Sequence, residues 1–253
     1  MYAEERQQHI LDRARGAGRV EVNTLAEDLD VTPETVRRDL TILERHGVLR
    51  RVHGGAIPVE RLGFEPGVET RSERFVAEKE RIAKAALAHL PDEGTVLIDA
   101  GTTTLRLAER LPRDHELTIV TNSLGIATMV SAHPNLSLYL LGGRVRGRTL
   151  AAVGSWVTKA LEDVFVDVAF IGTNGLSAER GLTTPDQSEA AAKQAMIKAA
   201  RRSVVLTDHT KFGIDHFSRF ADLSDIAAII TDDGLDPETA AEIEDLGPEV
   251  VLA

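Results

Sequence analysis

Residues 25–40 read LAEDLDVTPETVRRDL. Leu25, Ala26 and Leu29 fall at helical spacing, as do Val36 and Leu40, so two short helices share an apolar seam. Ala26 is small where the helices must approach closely. Asp30 stands in the turn, and aspartate tolerates the left-handed backbone better than most residues. Thr32 followed by Pro33 marks a helix start: a capping hydroxyl, then a ring whose missing N–H has no partner to lose in the first turn. With Val31, the apolar positions close a small core. The face left over carries Thr35, Arg37, Arg38 and Thr41. Arginine grips guanine through two hydrogen bonds or pairs with phosphate, and threonine bonds phosphate or touches a thymine methyl. A merely solvated amphipathic helix leaves the coincidence of spacing, turn, cap and basic face without a cause. A helix-turn-helix that reads DNA explains all four.

The flanking residues complete a domain over residues 1–57. Residues 4–15 place Ile10, Leu11 and Ala14 on one helical face, residues 22–29 form the second helix and residues 33–46 the third, which adds Leu43 and stops at Gly47. The run VLRRVHGGAIP (48–58) predicts two short strands around His53-Gly54-Gly55, a tight hairpin. Arg50, Arg51 and His53 suit a wing laid on the neighbouring DNA backbone. The winged helix-turn-helix is therefore expected to meet double-stranded operator DNA through Thr32, Thr35, Arg37, Arg38, Thr41, Arg50, Arg51 and His53.

A net charge of -11 over 253 residues argues superficially against a nucleic-acid partner. The first 57 residues carry only -1, with nine arginines, and five of those arginines fall between Arg37 and Arg51. A local basic patch is what phosphate contact requires. The absence of cysteine excludes disulfides, thiolate metal sites and cysteine nucleophiles. No apolar run is long enough to span a membrane, and the charged opening MYAEERQQHI is unlike a signal peptide. A cytoplasmic protein is expected.

Residues 58–78, with Pro58, Gly63, Pro66 and Gly67 and no sustained apolar period, read as a linker. From Lys79 to the end at 253, helices alternate with short apolar strands: ERIAKAALAHL then TVLIDA, a helix at 103–111 then LTIVTN, a helix at 124–132 then LSLYLLGG. VDVAFIG, SVVLTD and IAAIITD are further strands, with a helix at 186–201. Such alternation predicts a C-terminal α/β domain with a largely parallel sheet.

Residues 6–57 closely resemble the DeoR-type repressors, and the run from Leu25 to Ala56 resembles that family's DNA-binding signature. The resemblance continues through DAGTTT (99–104), TNS (121–123), LGG (141–143), FIGTNGL (170–176) and TDHTKFG (207–213), and so covers nearly the whole chain. It implies a winged helix-turn-helix joined to an α/β sensor domain that resembles the sugar-phosphate isomerase and CoA-transferase fold and binds a phosphorylated sugar or related metabolite. The opening MYAEERQ and the overall run resemble the fructose-operon regulators of that family, which points to fructose 1-phosphate as effector, with other hexose, pentose or glycerol phosphates left open.

The residues of the second domain agree in outline. DAGTTT follows a strand and opens a helix: Gly101 lets backbone approach a ligand, Thr102, Thr103 and Thr104 supply hydroxyls, and a helix N-terminus favours an anion. GxxxxGK[ST] is absent, so this is no P-loop. Asn122 and Ser123 close the next strand, either as caps or as ligand contacts. Gly142, Gly143 and Arg144 close another, with Arg144 either a phosphate partner or a surface arginine. In open α/β sheets ligands sit beyond the carboxyl ends of strands, so these turns converge. Asn174 and Gly175 follow VDVAFIG, and Asp167 at its start reads as structural. Glu189 and Lys193 are spaced for an i,i+4 salt bridge or for ligand contact. Asp99, Asp208 and Lys211 lie at strand ends. In the isomerases of the resembling fold such residues move protons; in a regulator they bond sugar hydroxyls. The eight histidines have no metal-ligating spacing, and His209 alone lies near the proposed site, in a structural or supporting role.

These readings converge on a repressor of a sugar catabolic operon, released from its operator by a phosphorylated sugar. No catalytic residue, metal or cofactor is assigned. A homodimer or homotetramer is expected, because one recognition helix reads one half-site.

Overall fold

The computed structural model describes residues 3–45, 49–58, 67–112 and 114–253. The chain divides into two compact units, Met1–Pro66 and Gly67–Ala253.

The first unit contains α1 (Ala3–Ala17), β1 (Val20–Glu21), α2 (Val22–Asp28), α3 (Pro33–Arg45), β2 (Leu49–Val52) and β3 (Gly55–Pro58). Ile10 and Ala14 of α1, Leu25 and Ala26 of α2, and Val36, Leu40 and Leu43 of α3 form one cluster, closed by Leu49 and Ala56. The α2–α3 turn is held by Leu29 N–H to Leu25 O and Val31 N–H to Ala26 O, both 3.0 Å. Asp30 takes the left-handed conformation at φ 50°. Thr32 Oγ1 accepts from Thr35 N–H at 3.2 Å, capping α3 as its sequence requires. Buried Asp39 accepts from Arg6 Nε at 2.6 Å and Gln7 Nε2 at 3.0 Å, which fastens α1 to α3 from behind.

The hairpin gains a partner that the sequence did not announce. β1 joins it in an antiparallel sheet of order β1–β3–β2. Gly55 makes this possible: a Cβ there would lie 1.9 Å from Val20 O. Gly47, the expected stop of α3, lies outside the described residues, as do Gly63 and Pro66 of the expected linker.

The second unit opens with α4 (Val68–Ser72) and α5 (Val76–Ala86). This corrects the linker expected over 58–78, whose C-terminal part is helical from Val68. The reason is visible in the burial. α4 buries no residue, and the buried face of α5 begins with a lysine, Lys79, before Ile82, Ala83 and Ala86. Apolar periodicity therefore starts later than the helix does.

There follow β4 (Glu93–Ile98), α6 (Thr102–Ala108), β5 (Glu116–Thr121), α7 (Leu124–Val130), β6 (Ser137–Leu140), β7 (Arg144–Arg146), β8 (Ala151–Val153), α8 (Ser155–Leu161) and β9 (Val166–Gly172). The remainder is β10 (Gly175–Ser177), β11 (Gly181–Thr184), α9 (Gln187–Ala199), β12 (Ala200–Leu206), β13 (Ser218–Ala221), β14 (Ala228–Thr231), α10 (Pro237–Glu244) and β15 (Glu249–Leu252). Seven strands form one sheet, β15–β14–β12–β9–β4–β5–β6, and every neighbouring pair in it is parallel. Side chains alternate between two cores. Val96 and Ile98 of β4 meet α5, α6 and α7, whereas Leu97 meets the core built on α8, α9 and α10. Cover on both faces explains why the inner strands read as continuous apolar runs, while the edge strands β6 and β15 stay largely exposed. The common strand direction brings the turns after β4, β5, β9 and β12 to one edge of the sheet. β10, β11 and β13 form a small antiparallel sheet, and β7 and β8 a hairpin.

Candidate functional site

In the first unit Thr32, Arg37, Arg38, Arg51 and His53 are exposed, while Thr35, Thr41 and Arg50 are half-buried. Arg37 pairs with Glu34 at 3.1 Å on the open surface, a contact worth about 0–1 kcal/mol and readily exchanged for a phosphate. Arg38 makes no hydrogen bond or ion pair with any described residue. Thr41 departs from its expected role. Its hydroxyl donates to Arg37 O at 2.8 Å and accepts from Arg51 at 3.2 Å, so it positions Arg51. Arg51 N–H donates to Glu44 at 2.8 Å, fastening the hairpin to α3. Arg50 and Arg51 are consecutive in β2 and leave it on opposite faces, so the strand does not present both to one backbone. Arg19 donates to His53 O at 3.0 Å and steadies the hairpin turn.

In the second unit the candidate residues centre on a buried ion pair. Lys193 on α9 donates to Asp99 Oδ2 at the end of β4, and also to Gly172 O at 2.8 Å. Gly172 N–H donates to the same Asp99 oxygen at 3.1 Å. Burial pushes the Asp99 carboxyl above its usual range, against the opposing pull of Lys193. The i,i+4 bridge expected between Glu189 and Lys193 does not form, because each finds a partner on another element. Glu189 Oε1 accepts from Thr149 at 2.6 Å and pairs with Arg146 at 2.5 Å. Its other oxygen lies 3.5 Å from the Thr184 hydroxyl, which donates to Asn174 Oδ1 at 2.9 Å. Arg146 also reaches Asp186 at 3.3 Å. Arg146 is the inward-turned arginine; Arg144 is exposed, and its guanidinium reaches Ser188 at 3.4 Å.

Several expected ligand residues are committed to the scaffold. Asn122 accepts from Ala100 N–H at 3.0 Å and donates to Ala152 O at 3.1 Å. Ser123 caps α7 by accepting from Ile126 N–H at 3.3 Å. Thr102, Thr103 and Thr104 are all buried, and Thr104 donates to Gly101 O at 3.0 Å. Gly101 accommodates that threonine, whose hydroxyl a Cβ would meet at 2.9 Å. Gly175 lies in β10 beneath Ile214 rather than at an open turn. Gly142 is exposed and, with Gly143, leads from β6 into β7. Asp167 accepts from Thr95 N–H at 2.8 Å, a structural role.

A second charged group forms at the end of β12. Burial pushes the Asp208 carboxyl up, but Lys211, the Thr210 hydroxyl and Lys79 together hold it below its usual range. Lys79 is buried and donates to Arg71 O at 2.5 Å and Arg74 O at 2.7 Å. Desolvation lowers its pKa to about 8, with Lys211, Arg71 and Arg106 adding repulsion against the attraction of Asp208. The sequence reading missed Lys79, Arg71, Arg106 and Arg146. A lysine on the buried stripe of α5 was the available signal. His209 supports this edge: it pairs with Asp232 at 2.6 Å and packs edge-on against Phe75, ring centres 5.6 Å apart.

Residues 6–61 match the DeoR-like helix-turn-helix domain, and residues 74–233 the DeoR C terminal sensor domain. The HTH-type transcriptional regulator GlpR of Haloferax volcanii is 37% identical over 251 residues, 99% of this chain and 98% of that protein. The uncharacterized HTH-type transcriptional regulator FruR of Bacillus subtilis is 37% identical over 92% of each chain. The HTH-type transcriptional repressor GlcR of Bacillus subtilis is 34% identical over 92% of this chain and 89% of that one. Among solved structures, ribose 5 phosphate isomerase A from Neisseria gonorrhoeae aligns with a TM-score of 0.40 at 15% identity, over 57% of this chain and 55% of that one. No helix among the described residues is long and apolar enough to cross a membrane. Both domain matches, in chain order, and relatives aligned over nearly their full length place this chain in the DeoR family of transcriptional regulators, with a DNA-binding helix-turn-helix and a C-terminal sensor domain.

Proposed function

We propose that the protein represses a sugar catabolic operon in the cytoplasm and leaves its operator when a phosphorylated sugar binds at the carboxyl edge of the parallel sheet. The observation that carries this reading is the buried set of Asp99, Lys193 and Glu189 at that edge. Charges are costly to bury, and these three lie where parallel sheets hold their ligands. Their carboxylates and ammonium suit the hydroxyl and carbonyl oxygens of a sugar, with Asn174 beside Glu189. The cations Lys79, Lys211 and Arg71 outnumber Asp208 and suit the phosphate, next to the threonine turn of α6, whose Arg106 pairs with Glu109 at 2.9 Å. The names of GlcR, a repressor, and of a putative aga operon transcriptional repressor from Escherichia coli O157:H7, 30% identical over 98% of this chain, support the same direction of control.

Fructose 1-phosphate is the first effector to test, on the resemblance of the N-terminal run to fructose-operon regulators. On the DNA side, Arg38 and Arg37 would read or flank the major groove, with Thr32 and Thr35 at the start of α3 and Arg51 and His53 on the backbone. A homodimer or homotetramer would supply two half-site contacts. Occupation of the sensor site would shift the population of DNA-binding arrangements. The experiment is a thermal-shift screen of the full chain against sugar phosphates, followed by operator binding with and without each compound that stabilises it. Stabilisation by mass action and a matching loss of operator affinity are expected. Failure of every sugar phosphate to do either refutes the inducer.

A further inference from the structure

The β7–β8 hairpin is stitched to the turns of the candidate site by one strand and to α9 by the other. Ala152 N–H donates to Asn122 O at 2.8 Å, and Leu124 N–H donates to Leu150 O at 3.1 Å. Asn122 in turn accepts from Ala100 N–H, beside Asp99. On the opposite side Arg146 and Thr149 both hold Glu189 Oε1. The tip of the hairpin has a different partner: Arg148 O accepts Val68 N–H at 2.8 Å. Val68 is the first residue of α4, where an amide has no intrahelical acceptor. It is also where the chain enters the second unit from the segment that follows the DNA-reading one.

Arg146 joins these contacts in one residue. Its carbonyl accepts from Leu150 N–H at 2.8 Å and Thr149 N–H at 3.3 Å, closing the turn. Its guanidinium spans Glu189 and Asp186. Leu150 is left-handed at φ 54°, a conformation unfavourable for a branched side chain, so surrounding bonds rather than local preference hold the tip. Glu189 is divided between two tasks. One oxygen is taken by Arg146 and Thr149, while the other has, among the described residues, only the 3.5 Å contact from Thr184. A hydroxyl donated to that second oxygen draws on the same carboxylate charge that anchors Arg146.

Resting on the reading of this edge as the effector site, we propose that Arg146 is a positioning residue that ties Glu189 to the β7–β8 hairpin, and that the hairpin passes occupation of the site to Val68 through Arg148 O. Glu189 would touch the effector; Arg146 acts through it.

Amide hydrogen exchange on the full chain, without ligand, tests the tie. In Arg146→Met, exchange at Val68 should accelerate about tenfold or more while β4 and β9 keep their protection. Arg146→Lys should restore part of it. Unchanged exchange at Val68 in Arg146→Met overturns the proposal. Should that variant lose protection throughout, Thr149→Val, which removes one of the two donors to Glu189 Oε1, decides instead: local acceleration supports the tie and none overturns it. A second arm adds fructose 1-phosphate, glycerol 3-phosphate and inorganic phosphate separately. A compound that raises the wild-type melting temperature should alter exchange at Val68 in the wild type and not in Arg146→Met; an equal change in both overturns the coupling. If none raises it, the effector reading fails for these compounds, and the ligand-free arm still decides the role of Arg146.

Discussion

The exposed face of α3 and the carboxyl edge of the seven-stranded sheet handle charge in opposite ways. On α3, Arg38 stands in solvent with no partner among the described residues, and Arg37 holds only a surface glutamate. At the sheet edge, Asp99, Lys193 and Glu189 are each at most 5% exposed and each engaged by another element. DNA is itself a dense polyanion, so a reader of it needs cations that fold without being used. On the reading of that edge as the effector site, the site stands empty whenever ligand is absent, so its buried charges need protein partners in that state. The first arrangement costs folding little; the second makes the site part of the core.

Four measurements break or sharpen that contrast. Lys193→Met strands Asp99 as an unpaired buried carboxylate and should cost about 3–5 kcal/mol in urea denaturation. Adding Asp99→Asn should recover part of the loss, and failure to recover any would mean that the two charges are not coupled. Arg38→Ala should leave stability unchanged but weaken binding to a selected operator by roughly 1–3 kcal/mol and relax preference at one base position. Arg37→Ala should weaken all sequences alike and reduce the salt slope by about one. Equal behaviour of the two variants would remove the distinction between them. Thr32→Ala should destabilise the first unit by about 1 kcal/mol through the lost cap, measurable as a lower melting temperature.

The smallest effect is protonic. Lys79 titrates at about 8 because burial disfavours its charge. A phosphate beside it favours the charged form and raises that value. Binding at pH 8 should therefore take up a fraction of a proton, and binding near pH 6, where Lys79 is already protonated, should take up none through it. Calorimetry in two buffers of different ionisation enthalpy measures the uptake. Zero uptake at pH 8 by a compound that binds would place the phosphate away from Lys79.

What the sequence disclosed follows the range of the interactions. The core of the first unit was legible because Leu25, Ala26, Val36 and Leu40 sit within one short stretch and obey one period. β1 was not, because two residues carry no period and Gly55 reveals its purpose only against Val20. Six of the seven parallel strands, β4, β5, β6, β9, β12 and β14, were legible as apolar runs bounded by turns. The β7–β8 hairpin, α8, the small antiparallel sheet, α10 and β15 lacked so strong a signature; each strand of the hairpin has only three residues, too few to show a period. At the site, residue types were readable but pairings were not. Glu189 and Lys193 invite a local bridge, yet Lys193 reaches back to Asp99 and Glu189 to Arg146. Asn122 read as a cap or a ligand contact, but its amide joins the turn after β4 to β8.

The order of strands in the large sheet also sets a schedule for the newly made chain. β4 is flanked by β5 on one side and, on the other, by β9, which cannot pair until residues 166–172 have been made. β9 in turn waits for β12, and β14 for β15 at the C-terminus. The first unit draws its cluster from residues before Pro58 alone. At ribosomal speeds of roughly 5–20 residues per second, it leaves the tunnel on the order of ten seconds or more before the last strand does. Each nascent molecule therefore has a DNA-reading head well before it has a finished sensor.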